Sequence, residues 1–337
     1  MDANKTVLLA HGSGGKLSQE LVRKMFVGEL ANETLSRLDD AACFSLNGGR
    51  LAFTTDSYVV SPIFFPGGDI GKLAVCGTVN DLATAGAVPK FLSLAFIIEE
   101  GLPLEDLARV VNSIKAASSE AGVCVVTGDT KVVNRGKADR LFINTSGVGI
   151  VPDGINISGC NGRPGDIVML SGSIGDHGMA IMAQREGFTF KLPVESDCAP
   201  LNGMVTAMLK ASKNIHTLRD PTRGGLATTL NEIAAQSNVG IDIDETKIPV
   251  KDAVRAACEL LGFDPLYVAN EGKMIAIVAP EDADKVLESM RRNPYGGEAS
   301  IIGEVVNGHP GRVVLKTALG ARRILDMLSG ELLPRIC

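Results

Sequence analysis

Four aspartates sit at strand ends or in polar breaks within helical runs: Asp40 in "RLDDAA", Asp56 in "FTTDSYV", Asp81 in "GTVNDLATAG" and Asp129 in "VTGDTKVV". Singly, each reads first as a turn former or a helix cap. Together they point to carboxylates converging on one cleft. Such a cleft repels nucleotide phosphates unless a hard cation lies between them. Mg2+, held by one or two carboxylates and the substrate phosphates, is the natural intermediary. Several glycine-bearing loops could complete the cleft. "HGSGGK" at 11–16 falls between an expected strand and a helix, where backbone N–H groups can hold phosphate. It lacks the four-residue spacer of a P-loop, and a flexible turn without ligand fits it equally well. "LRDPTRGGLA" offers Arg223, followed by Gly224 and Gly225, to an anion at a helix start. "ANEGKM" sets Glu271 before the apolar run "MIAIVAP", either as a partly desolvated carboxylate or as a surface turn. His177 in "GSIGDHGMA" has no evident partner and reads as a turn residue.

The chain ends "ELLPRIC", on a thiol. The seven cysteines (43, 76, 124, 160, 198, 258 and 337) form no CxxC and have no histidine at ligand spacing. A disulfide framework and a zinc site are therefore not expected. Cys76, Cys124 and Cys258 lie in apolar runs and read as small core residues. Cys337 stands outside any such run, so it is either incidental or the one thiol free to react.

These groups need a scaffold, and the hydrophobic period supplies one. Strands are expected over "TVLLA", "RLAFTTDS", a buried "KFLSLAFII", "VCVVTG" and "LFINTSGVGIV". Helices are expected over "KLSQELVRKMF", "DIGKLAVCGTVNDLATAG" and "LPLEDLARVVNSIKAASSEAG", the last opened by Pro103 and stopped by Gly122. Gly, Pro, Asn and Asp then concentrate at 152–166, which marks a domain boundary. A second mixed half follows, so the class is mixed α/β (α+β) in two domains. The last 20 residues hold little that could build a core element, which leaves the tail free to swing.

Bulk properties narrow the function. A length of 337 residues fits two domains, and 45% hydrophobic content is ample for their cores. A net charge of −6 with scattered basic residues argues against nucleic acid as a partner. No leader pattern is visible, and the greasiest run, "FLSLAFII", is too short to span a bilayer. A cytoplasmic globular protein without a membrane partner is expected.

The segments "HGSGG", "TTDSYVVSPIFFPGGDIGKLAVCGTVNDLATAGAVP", "EEGLP", "VTGDTKVV", "LFINTSG", "GDHGMAI", "DPTRGGLA", "ANEGK" and the ending "PRIC" resemble the HypE family of hydrogenase maturation factors. That family belongs to a superfamily with aminoimidazole ribonucleotide synthetase and selenophosphate synthetase. The resemblance spans the whole chain. It implies an aminoimidazole ribonucleotide synthetase-like fold: an ATP-binding and dimerisation domain over 1–155, an α/β domain over 156–320 and a flexible tail over 321–337. It implies an ATP-dependent dehydratase acting on its own C-terminus. A carbamoyltransferase, HypF, would load Cys337, and the resulting thiocarboxamide would become a thiocyanate. The cyanide would pass through a HypC–HypD iron-carrying complex to the [NiFe]-hydrogenase centre. By the same resemblance Asp40, Asp56, Asp81 and Asp129 hold Mg2+ and ATP, with Gly14, Gly15 and Thr130 among the ATP contacts. Lys131 would meet the activated carboxamide, with Glu271 as its partner and proton acceptor, and Pro334 would stiffen the arm. Two chains would pair through their N-terminal sheets as a homodimer.

Two rivals differ in kind. Selenophosphate synthetases carry a reactive Cys or Sec beside the N-terminal glycine loop, and "HGSGGKLSQEL" has neither. A non-enzymatic metal carrier using the terminal thiol would need paired Cys/His ligands, which the spacing does not offer.

Overall fold

The structure, a computed structural model, describes residues 7–12, 14–30, 32–46, 48–187, 194–330, 333 and 335–337. The described chain opens on a 3-10 turn, Leu9–Gly12, where a strand over "TVLLA" was expected; Thr6 lies outside the described residues. Helix α1 (Lys16–Leu21) then runs through a π-type turn, Val22–Val27, into α2 (Gly28–Leu30). The apolar residues of this arm, Leu17, Met25 and Phe26, remain exposed because no core element covers them.

The N-terminal sheet is built from β1 (Ala42–Leu46) and β2 (Gly49–Tyr58), followed by a small hairpin, β3 (Phe64–Phe65) and β4 (Gly68–Asp69). Helix α3 (Ile70–Thr84), β5 (Val88–Glu99), α4 (Leu104–Ala121), β6 (Cys124–Val133) and β7 (Leu141–Val151) complete it. The strand order is β1-β2-β7-β5-β6. Only β5 and β6 run parallel, as the α4 crossover between them requires. Asp69 caps α3 by accepting the Gly71 and Lys72 N–H groups at 2.7 and 3.1 Å. That helix is buried almost all round, because it lies between the N-terminal sheet and the C-terminal domain.

The second half supplies β8 (Ile167–Leu170), α5 (Asp176–Glu186), α6 (Asn202–Ala211), β9 (Ile215–Arg219) and α7 (Gly225–Ser237). It continues with β10 (Gly240–Asp244), α8 (Asp252–Leu261), β11 (Ile275–Val278), α9 (Ala283–Arg291) and β12 (Ser300–Val306). Two further strands, β13 (Arg312–Lys316) and β14 (Arg322–Leu325), close a sheet of order β14-β13-β10-β12-β8-β11-β9. The mixed α/β class and the two-domain plan agree with the sequence.

Three expectations are corrected. The C-terminal domain runs past residue 320, since β14 pairs with β13 and Leu325 is fully buried. The last residues do enter a core: Leu333 and Ile336 are buried and pack with Phe65, Met179 and Val268. Pro334 lies outside the described residues. Thirdly, β5 is not a buried strand and Cys124 on β6 is not a core residue. Phe91 and Ile97 on β5 are half-exposed, and β6 is exposed along nearly its whole length, Cys124 included. A run of apolar residues shows that a surface needs cover, and here nothing within the chain provides it.

Gly77 lies inside α3 and fixes how closely that helix approaches β2, because a methyl group there would collide with the Tyr58 hydroxyl. Helix propensity alone would make Gly77→Ala stabilising by about 1 kcal/mol. Overpacking costs about 1–3 kcal/mol and should prevail. Urea unfolding should therefore find the variant less stable than the parent. A more stable variant would show that α3 and β2 are not in the contact described.

Candidate functional site

Strand β2 presents Thr54, Asp56 and Tyr58 on the face it turns to α3, by simple alternation. Thr54 donates to Asp81 Oδ2 at 2.8 Å from the strand side, and Tyr58 donates to Asp56 Oδ2 at 3.1 Å. Asp40 enters from the loop before β1 and pairs with Arg219 at the end of β9, at 2.9 Å. Arg219 also binds Glu232 of α7 at 2.8 Å. Asp220, next in sequence, joins the same recess. The four aspartates repel one another. Burial, then Asp56, Asp220 and Asp40, push the Asp81 carboxyl well above the usual range. Burial, with Asp40 and Asp56, raises Asp220 to about 8. Burial raises Asp40 to about 6, against the pull of Arg219.

A cavity of about 220 Å³ opens beside Asp40, Asp220 and Glu232, walled also by Gly12, Gly14, Ser18, Thr222 and Arg223. Gly14, with φ +80°, and Gly15 are required for close approach: a side chain would strike Arg223 at the first and the Leu328 carbonyl at the second. The loop "HGSGGK" is thus packed against the C-terminal domain, and Gly14 lines the cavity. One oxygen of Asp40, Oδ2, is buried without a hydrogen-bond partner among the described residues, and burial disfavours its charge unless a cation joins it. This donor set fits a hard divalent ion shared with a phosphate. Among the described residues no three His, Cys, Asp or Glu side chains lie close enough to hold a metal alone, so the protein supplies only part of a coordination shell.

A second cavity, about 270 Å³, shares Gly12 and Arg223 with the first and is lined by Ser57, Val59, Gly224, Leu333, Ile336 and Cys337. The terminal thiol lies inside. It faces Glu271 and Arg223, and burial pushes it up to about 12 against the pull of the Arg223 guanidinium. Glu271 is buried, with Oε1 unpartnered among the described residues, and burial followed by Cys198, Asp220 and Asp197 raises its carboxyl far above normal. Its backbone is fixed from two sides. The N–H donates to Asp197 Oδ1 at 3.0 Å, and the carbonyl accepts from Asn80 of α3 at 3.4 Å.

The structure brings Asp40, Asp56, Asp81, Gly14, Glu271 and Cys337 into one region. It does not bring Asp129, Thr130 or Lys131 there. Asp129 on β6 stands in register with Ala95, Asn144 and Ser57, three strands from Asp56, or about 14 Å at the usual strand spacing. Lys131 contacts Asp129 at 3.4 Å, both on the exposed edge strand, and does not meet Glu271 within the chain. Two residues of the site escaped the sequence reading. Asp220 sits in "LRDPTRGGLA", where attention falls on the glycines. His177, read as a turn residue, is fully buried, its Nε2 donating to the Ile336 carbonyl at 2.6 Å.

Comparison with known proteins agrees with this architecture. AIR synthase related protein, N-terminal domain, matches residues 38–151, and its C-terminal domain matches 163–316. Carbamoyl dehydratase HypE of Azotobacter vinelandii is 56% identical over 334 residues, spanning 99% of this chain and 98% of the relative. The structure of hydrogenase maturation protein HypE in complex with ATP superposes with a TM-score of 0.84 at 52% identity, covering 98% of this chain and all of that one. That of a HypE–HypF complex superposes at 0.87 and 51%, covering 91% and 99%.

The mutual repulsion of the acids has a measurable sign. Asp220 has a folded value of about 8 against an ordinary 3.8, so between those pH values the folded protein carries a proton that the unfolded chain has lost. Stability from this group is full below about pH 4 and declines as pH rises to about 8. Asp220→Asn should accordingly raise the melting temperature of nucleotide-free protein, by more at pH 8 than at pH 5, while weakening nucleotide binding. A variant that melts lower at pH 8, or gains equally at both pH values, would remove Asp220 from the repelling group.

Proposed function

The chain belongs to the HypE family of carbamoyl dehydratases on the AIR synthase related fold, and we propose that it uses ATP to dehydrate the carbamoylated thiol of its own Cys337. The observation that carries this reading is the seat of that thiol, at Glu271 and Arg223, one wall away from the carboxylate recess. The substrate is R–S–C(=O)–NH2. Its oxygen attacks the γ-phosphorus of ATP, the bond to ADP breaks and an amide proton leaves, giving a phosphorylated imidate. Removal of the second N–H proton expels phosphate and leaves R–S–C≡N. An amide oxygen is a poor leaving group, and phosphate a good one, so the catalytic demand is positioning and charge neutralisation.

The chain's residues divide that work. Arg223, a cation facing Cys337, Asp56 and Glu271, stands where both the transferred phosphoryl group and the carboxamide can reach it. Glu271, as the ionised form, accepts the imidate proton; its elevated affinity for protons suits it to a general base. Asp40, Asp56, Asp81 and Asp220 would hold Mg2+, which neutralises the phosphate charge when bound. Gly12 and Gly14 close the recess around the nucleotide.

Asp129, Thr130 and Lys131 enter from a second copy of the chain. The N-terminal sheet has α3 and α4 on one face only, and the other face leaves Phe53, Phe91 and Ile150 half-exposed, continuous with the edge strand β6. Pairing two such faces in a homodimer covers this apolar surface. It also carries the Lys131 ammonium to the partner's carboxamide. HypF, the protein bound in the related complex, would deliver the carbamoyl group, and a HypC–HypD complex would receive the cyanide in the cytoplasm for hydrogenase maturation. No helix among the described residues is long and apolar enough to cross a membrane.

Cys337→Ala should abolish thiocyanate formation without altering ATP affinity. Lys131→Ala and Glu271→Ala should each accept the carbamoyl group and then stall, with the carbamoylated tail accumulating by intact mass. Mixing the last two and allowing subunit exchange tests the shared site. One site in each heterodimer regains both groups, so about a quarter of wild-type turnover should return on random pairing. No recovery, with exchange verified, would place Lys131 in its own chain's site.

A further inference from the structure

The terminal residues are held by their main chain. Val59 N–H donates to the Cys337 carbonyl and Ser61 N–H to the Arg335 carbonyl, each at 3.1 Å. Arg185 of α5 donates to the same Arg335 carbonyl at 2.9 Å. Between them the Ile336 carbonyl accepts from His177 Nε2. A carbonyl can only accept, so Nε2 carries the imidazole proton, and Nδ1 accepts from the Ser196 hydroxyl at 2.8 Å. The ring is fully buried, stands edge-on to Phe65 at 5.5 Å, and is kept neutral by that burial. None of these contacts touches the Cys337 sulfur. A dock that grips backbone on both sides of Ile336 therefore accepts the tail whether or not the thiol carries a carbamoyl group. Gly178 keeps the floor of the dock clear, because a side chain there would strike Val268 and Leu333.

We propose that His177 is a positioning residue for the dehydration: its Nε2–H fixes the Ile336 carbonyl and thereby presents the sulfur of Cys337 to Glu271. The docking part stands on the contacts alone, and the rate part rests on the dehydratase reading above. Three chains separate the donor from the bulk of the ring: the parent, His177→Phe, which keeps the ring and its packing on Phe65 but has no donor, and His177→Gln, whose amide can donate from a similar place.

Iodoacetamide labelling of Cys337, followed by mass of the C-terminal peptide, reads docking without turnover. Labelling should rise roughly five- to tenfold in His177→Phe, the ratio expected for one hydrogen bond, and return towards the parent rate in His177→Gln. Buried Cys76 should stay unlabelled in all three as a check on folding. Equal labelling of Cys337 in parent and His177→Phe, or equal increases in both variants, overturns the proposal. Should His177→Phe expose Cys76, the parent itself decides. The slowly exchanging Nε2–H resonance of His177 must vanish when residues 335–337 are removed, and its persistence also overturns the proposal. In single turnover of the carbamoylated tail, His177→Phe should slow thiocyanate formation by the same ratio at unchanged ATP affinity. A parent that makes no thiocyanate would defeat the dehydratase reading and leave the labelling result to judge the dock.

Discussion

Repulsion among Asp40, Asp56, Asp81 and Asp220 is the constraint that organises this molecule. Burial raises the protonation affinity of Asp40, Asp81 and Asp220, and neighbouring charge adds to it: Asp56, Asp220 and Asp40 act on Asp81, Asp40 and Asp56 on Asp220, and Glu232 and Asp39 on Asp40. The fold offsets this locally: Thr54 donates to Asp81, Tyr58 to Asp56, and Arg219 neutralises Asp40 from the opposite domain. These contacts leave an excess of negative charge. Any cation that entered a recess with that balance would relieve it, and would stabilise the folded chain by binding to it.

Holding the acids in place requires a rigid element with no free face, and α3 is that element. Its consecutive residues Asn80 and Asp81 point in different directions. Asp81 turns towards Thr54 of β2. The fully buried Asn80 accepts the Leu201 N–H at 2.8 Å and donates to the Ala199 and Glu271 carbonyls. An amide buried there is tolerable only because all these partners are present. One helical turn thus locates the carboxyl of Asp81 and the backbone of Glu271 relative to each other, across the domain boundary. The apolar positions of α3 around it, Leu73, Val79 and Leu82, supply the burial that makes the arrangement stiff.

Much of this was legible in the sequence. The periodicity of "DIGKLAVCGTVNDLATAG" located α3, with Asp81 on it, and the glycine-rich break at 152–166 falls between β7 and β8. What stayed hidden has physical causes. Periodicity reports which side of an element wants cover but not what covers it, so β5 was read as buried and Cys124 as core. The acid in "VTGDTKVV" stands in a polar break like that of Asp56, yet sheet order sets them three strands apart. His177 looked partnerless because its partner is a backbone carbonyl 159 residues away, to which no side-chain pattern points. Asp220 was masked by the glycines that follow it.

The tail expected to swing is docked, and the energetics reconcile the two descriptions. Four hydrogen bonds to the carbonyls of Arg335, Ile336 and Cys337 contribute about 0.5–1.5 kcal/mol each. Burial of Leu333 and Ile336 adds roughly 1.5–3 kcal/mol apiece. Against this, fixing the backbone of Leu333, Arg335, Ile336 and Cys337 costs about 1–2 kcal/mol per residue, before the side-chain entropy of the arginine. The two sides are of similar size. A tail so balanced can occupy the dock most of the time and still leave it often enough to meet a carbamoyl donor. Because it is tethered, its return needs no encounter from solution. A dock built with a larger apolar footprint would hold the thiol beside Glu271 more firmly and release it less often. Recognition of a few main-chain carbonyls is therefore suited to a substrate that is also part of the chain.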